Sequence, residues 1–200
     1  MPLSRREFVG ALAMSPAIAP PPRALCGVID LGDACVLPES RIGILACTFS
    51  KLQKMHRHEC LFYVVPGAGP VTRQLSRELV EFTQGGACII FESAAGFGGF
   101  ESQREMLAEY FGLQIERPVL LPEGRIPYVD YHWPVSVKVR DFNRIVPVRV
   151  PAREVIATID GIAVASRRGK LIFLGSPIGP ALHAGDREAH SWFKALVATS

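Results

Sequence analysis

Ala87-Cys88-Ile89-Ile90-Phe91-Glu92-Ser93-Ala94-Ala95-Gly96 is the stretch that decides the fold. Five uncharged, mostly apolar residues are too few for a helix and lack the polar alternation of a strand with one wet face. They read as a strand buried on both sides. Strands of that kind belong to open α/β sheets covered by helices, where ligands bind beyond the carboxyl ends. Glu92 to Gly99 therefore stands where a site would form. Upstream, Leu61-Phe62-Tyr63-Val64-Val65 is a second such run, stopped by Pro66-Gly67-Ala68-Gly69-Pro70. Between the two runs, Val71, Leu75, Leu79 and Phe82 recur at helical spacing and Gly85-Gly86 supplies the stop, so a helix is predicted there.

Farther out, Arg41-Ile42-Gly43-Ile44-Leu45-Ala46-Cys47 reads as the strand that opens the sheet, after a loop-like stretch over residues 20–40. Downstream, Glu101 to Phe111 reads as an amphipathic helix ended by Gly112. Val135 to Arg140 alternates apolar and polar residues, Asp160-Gly161 is a hairpin signal, and Lys170 to Gly175 forms another apolar run after the Arg168-Gly169 turn. Asp186 is placed to cap a last helix whose stripe is Ala189, Trp192, Phe193 and Leu196. The expected architecture is a three-layer α/β domain over residues 41–200, with a mixed, mainly parallel sheet and a C-terminal antiparallel meander.

The first nineteen residues carry a different signal. Ser4-Arg5-Arg6-Glu7-Phe8, a short weakly apolar stretch and Ala17-Ile18-Ala19 resemble a bacterial twin-arginine signal peptide. The resemblance implies an exported protein, periplasmic or extracellular, translocated after folding. The apolar run is too short to span a bilayer, and no later segment reads as transmembrane. A formal charge of +3 spread over 200 residues argues against a nucleic-acid partner, and the densest basic run, Arg167-Arg168-Gly169-Lys170, reads as a turn. Among five cysteines, Cys47 and Cys88 read as buried small hydrophobes, and Cys26 and Cys35 are near enough in sequence to form a bridge.

The order of elements, the Pro-Gly-x-Gly turn at Pro66, the helix ending in Gly-Gly, Phe111-Gly112-Leu113 and the late Gly175-Ser176-Pro177 together resemble the class I glutamine amidotransferase-like superfamily, over about Ile42 to Val197. The resemblance implies a flavodoxin-like sheet. It also implies where chemistry would sit: active members carry a cysteine in a Gly-x-Cys-x-Gly elbow and a late His-x-Glu pair. Here the elbow reads Glu92-Ser93-Ala94-Ala95-Gly96, placing Ala94 at the nucleophile position, and Ser176-Pro177-Ile178 stands where His-Pro-Glu would be. The expectation is a non-catalytic relative that binds a small molecule or a protein partner, with Gly67, Gly69, Ser93, Ala94, Gly96 and Ser176 walling the cleft. No cofactor is implied.

Three sets of residues carry other chemistry. Ser93 as nucleophile, with His183 or His190 as base and Glu92 or Asp186 as orienter, would make a serine-dependent amidase or hydrolase, with amides of Gly67 to Gly69 as oxyanion hole. His56, His58 and Cys60 point the same way along an extended segment and would share one metal ion, against the plainer reading of a solvated connector. Tyr128-Val129-Asp130-Tyr131-His132-Trp133-Pro134 reads as an aromatic loop suited to partner contact through Tyr128, Asp130, Tyr131, His132 and Trp133, or as a lid over the sheet.

Overall fold

A computed structural model describes residues 25–31, 45–49, 60–95, 98–122, 128–141 and 144–199. Residues 1–24, Cys35, His56, His58 and Gly96 lie outside the described residues.

The apolar run Ala87–Phe91 falls in strand β4, Cys88–Glu92, fourth in order across a nine-stranded sheet. Its side chains alternate between two apolar clusters, one on each face. Cys88 and Ile90 pack with Trp192, Phe193 and Leu196 of the last helix, α4 (Arg187–Thr199). Ile89 and Phe91 pack with Leu79 and Phe82 of α1 (Arg73–Gln84) and with Met106 and Leu107 of α2 (Phe100–Phe111). Strands β3 (Phe62–Val65) and β11 (Leu171–Leu174) divide their residues in the same way, which is why all three read as unbroken apolar runs.

The helix boundaries follow from capping. The Thr72 hydroxyl accepts the Leu75 N–H at 3.2 Å at the start of α1. Gly112, at φ 62°, takes the left-handed turn that ends α2, a conformation in which a Cβ is strained.

One correction concerns the start of the sheet. Leu25–Ile29, assigned to a loop from the sequence, forms strand β1, and it lies between β2 (Leu45–Phe49) and β3 with parallel pairing to both. Of the strand predicted over Arg41–Cys47, the described part is Leu45–Phe49, and residues 41–44 lie outside the described residues. Gly27 explains why β1 is possible where it is: a Cβ there would sit 2.4 Å from Cδ1 of Tyr63, so only glycine lets that ring lie across the strand.

Sheet order is β2-β1-β3-β4-β11-β10-β9-β6-β7, where β6 is Tyr128–Tyr131, β7 Val137–Arg140, β9 Val155–Ile159 and β10 Ile162–Arg168. Pairing is parallel from β2 through β11 and antiparallel from β11 to β7. The Asp160-Gly161 turn between β9 and β10 has both residues at positive φ, 49° and 82°, as the Asp-Gly pair implies. Two short strands, β5 (Gln114–Ile115) and β8 (Val148–Arg149), pair apart from the main sheet.

A second correction concerns the aromatic segment. Tyr128–Tyr131 is a strand, paired to β7 and β9, and only His132 to Pro134 turn away from it. Val129 and Tyr131 face the core, while Tyr128 and Asp130 face solvent. Tyr131 stacks on Trp192 with ring centres 4.8 Å apart, so it is a core residue beneath α4.

Candidate functional site: a filled strand-end elbow

Strand order reverses between β1 and β3, the position where open α/β sheets bind ligands. The loops that leave the parallel strands there do converge, and they do so by backbone contact. A Cβ on Gly67 would lie 2.0 Å from the Ser93 carbonyl oxygen, one on Gly69 2.1 Å from that of Leu31, and one on Gly99 2.3 Å from that of Gly69. Glycine is required at each point because the neighbouring main chain occupies the space a side chain would take.

At the centre of this packing the elbow after β4 is closed by Gln103 of α2. Its Oε1 accepts the Ala94 N–H at 2.9 Å and its Nε2 donates to the Glu92 carbonyl at 2.7 Å. Gln103 and Ala94 are both 0% exposed. Ser93 is tied as well. Its N–H donates to the Leu174 carbonyl at 2.8 Å and its hydroxyl accepts the Ala95 N–H at 3.1 Å. The backbone amides that a nucleophile elbow would turn toward substrate are thus committed inside the protein.

The Glu92 side chain reaches the loop after β11. Its Oε1 accepts the Gly179 N–H at 2.7 Å, at the start of the short helix α3 (Gly179–His183). Burial raises the Glu92 carboxyl above its ordinary range, and the Gly179 and Ile178 N–H groups oppose that shift in part. Next to it, the Ser176 hydroxyl donates to Asp141, and both residues are buried. Burial, and then the nearby charges of Glu92 and Asp141, push the Tyr131 phenol far up. Tyr131 therefore stays protonated throughout the accessible pH range. The loop itself is pinned by Gly175, where a Cβ would fall 2.0 Å from the Val146 carbonyl oxygen.

The structure does not assemble the serine-hydrolase set. His190 hydrogen-bonds through its ring to the Leu182 carbonyl at 2.9 Å. His183 is exposed on α3, and Asp186 caps α4 by accepting the Glu188 and Ala189 N–H groups at 2.8 and 3.0 Å. Among the described residues no histidine bonds to Ser93 to serve as its base. Cys60 is buried as a thiol at the entry to β3, and no group of three potential ligands among the described residues is placed to hold a metal ion.

Gln103 and Asp141 were missed in the sequence. Gln103 had a signal: it sits on the stripe it shares with Met106, Leu107 and Tyr110, and a polar residue at a core position of an amphipathic helix implies a buried partner. Asp141, at the end of β7, had none, because its meeting with Ser176 depends on how the strands order across the sheet.

No protein-family model matches the chain, and no curated protein resembles it in sequence. Solved structures do resemble it in fold. The cold-adapted β-galactosidase from Rahnella sp. R3 superposes with a TM-score of 0.65 at 13% identity, over 88% of this chain and 31% of that one. A glutamine amidotransferase superposes with a TM-score of 0.58 at 17% identity, over 88% of this chain and 99% of that one. The mmIFT52 N-terminal domain gives 0.57 at 12% identity, over 88% and 96%. The chain spans less than a third of the β-galactosidase, and it matches the amidotransferase and the mmIFT52 domain over nearly their whole length. These likenesses establish a glutamine amidotransferase-like α/β fold, and a fold hosts many functions. No described helix is long and apolar enough to cross a membrane.

Proposed function

We propose that this chain is an exported, non-catalytic domain of glutamine amidotransferase-like fold, with flavodoxin-like layering and a C-terminal antiparallel meander, that works by binding a small molecule or a protein. One observation carries the reading. The elbow position holds Ala94, whose side chain is fully buried and whose N–H is taken by Gln103, so that position supplies no nucleophile and its own amide is not turned to an oxyanion. The late loop supports it, since Ser176 is engaged with Asp141 and the Glu92 carboxyl with Gly179.

Turnover separates this reading from the hydrolase. The purified chain and its Ser93→Ala variant are incubated with L-glutamine, with p-nitrophenyl acetate and with a fluorophosphonate label. Both are expected to release ammonia and nitrophenol at the rate of buffer and to remain unlabelled. Hydrolysis or labelling by the parent that Ser93→Ala abolishes sinks the non-catalytic reading. Export rests on Ser4 to Phe8, the weakly apolar stretch after it and Ala17-Ile18-Ala19; a reporter fused behind residues 1–24 should leave the cytoplasm, and should stay there when Arg5 and Arg6 are both lysine.

A further inference from the structure

A second constellation lies on the opposite edge of the sheet from the carboxyl ends of β4 and β11. There β6 ends, β9 begins and β10 turns into β11. The basic run Arg167-Arg168-Gly169-Lys170 forms that turn, and strand alternation sends its two arginines to different faces. Arg168 is spent on structure: its Nε donates to Glu154 at 2.9 Å and its Nη1 to the Gly112 carbonyl at 2.5 Å. Arg167 goes the other way, and its guanidinium carbon stands 4.2 Å from the centre of the Trp133 ring. The Trp133 carbonyl in turn accepts the Trp192 Nε1–H at 2.8 Å, which ties the Trp133 turn to α4.

The space beside this stack is a cavity of about 330 Å³ lined by Trp133, Arg153, Val155, Ile156, Arg167 and Gly169. Two cations and no carboxylate line it. Among the described residues neither Arg153 nor Arg167 is in an ion pair. The cavity beside α2, about 470 Å³, shows the contrast: its arginines, Arg104 and Arg149, are held by Glu101 and Glu116 at 2.6 and 2.9 Å. A guanidinium lying over an indole keeps its N–H groups at its rim, free to meet an oxyanion with two parallel bonds.

We propose that the Trp133–Arg153–Arg167 pocket binds the carboxylate or phosphate group of a small organic anion. Arg167 supplies an oriented fork, Arg153 a second cation from the turn before β9, and the half-buried Val155 an apolar contact for the rest of the ligand. The proposal gives the binding reading a chemical class and rests on it only in part, because the pocket is remote from the elbow. An active elbow would leave the pocket in place.

The test is calorimetric titration of the full chain with phenyl phosphate and, separately, with benzoate, at ionic strength held constant with sodium chloride. Tryptophan fluorescence is read in parallel. Saturable binding of at least one anion is expected, and the two arms show whether phosphate or carboxylate is the preferred group. Arg153→Gln and Arg167→Gln should each weaken binding about tenfold, the loss of one charge-assisted contact. The double variant should show none, and Arg104→Gln should bind like the parent. Arg153→Gln, on a surface turn, keeps the test decisive if Arg167→Gln disturbs the Trp133 stack; circular dichroism reports that. Heats no different from sodium chloride for both anions, or binding that survives the double variant, overturn the proposal. Retained anion binding together with Ser93-dependent turnover would overturn the non-catalytic reading alone.

Discussion

Replacing Gln103 by leucine removes the clamp on the elbow while nearly preserving side-chain volume. Two main-chain groups lose their partner, the Ala94 N–H and the Glu92 carbonyl, and the residues around them are at most 6% exposed. A buried polar group left without a hydrogen bond costs about 1–3 kcal/mol, so two cost about 2–6 kcal/mol. Gln103 itself no longer has to be desolvated and ordered, which returns about 1 kcal/mol. The expected net loss is about 1–5 kcal/mol, which for a chain of this size lowers the melting temperature by about 2–20 °C. Urea unfolding followed by circular dichroism measures it, with the parent at the same pH. Gln103→Glu provides a second comparison, since an ionised carboxylate there is a buried charge facing the Glu92 carbonyl; it should be at least as destabilising as leucine at neutral pH and recover as pH falls and the carboxyl protonates. A loss below about 1 kcal/mol for Gln103→Leu, at unchanged denaturant slope, would mean that water reaches these groups. The elbow would then be open, and the argument that it is a filled, silent site would fail.

The raised carboxyl of Glu92 makes stability depend on pH in a definite direction. From its ordinary value of 4.5 up to its folded value, the unfolded chain has lost this proton while the folded chain keeps it, so stability falls as pH rises, by up to about 1.4 kcal/mol per pH unit. Glu92→Gln keeps the acceptor for Gly179 and abolishes the titration; the difference in unfolding free energy between parent and variant, measured from pH 4 upward, should move in favour of the variant between 4.5 and the folded value of the carboxyl and then level off, and a flat difference throughout refutes the assignment. Two glycines should respond in opposite ways. Gly67→Ala forces a Cβ to within 2.0 Å of the Ser93 oxygen and should cost at least about 3 kcal/mol or prevent folding. Gly85→Ala, at φ −73° with no atom nearer than 3.4 Å, should be neutral or stabilising by up to about 1 kcal/mol, so equal melting temperatures for the two variants would contradict the packing described.

The parts of this fold legible in the sequence were those whose signal is local. β4 showed as an apolar run because helices cover both of its faces, α1 and α2 showed by their stripes and glycine stops, and the β9–β10 turn by its Asp-Gly pair. β1 was not legible. Leu25–Ile29 is short and interrupted by Gly27, and it is a strand because β2 and β3 hydrogen-bond to both its sides and Tyr63 fills the glycine's space. β6 carried the alternation of a strand with one wet face, Tyr128 and Asp130 outward and Val129 and Tyr131 inward, yet its aromatic density read as a recognition loop.

For the site, the amino-acid order by itself determined the absence of a nucleophile at Ala94, since residue identity at a known turn needs no coordinates. Whether Ser93 meets His183, His190 or Asp186 is a question of distance, legible only in the folded chain. Ser93 is paired with Ala95, His190 with Leu182 and Asp186 with α4. The Arg167–Trp133 stack was equally out of reach of sequence, because the two residues are brought together by a strand order that no local periodicity encodes. Side-chain period reveals which face of an element is buried; which elements then become neighbours is settled by the global minimum of packing and hydrogen bonding, and contacts between distant segments exist only there.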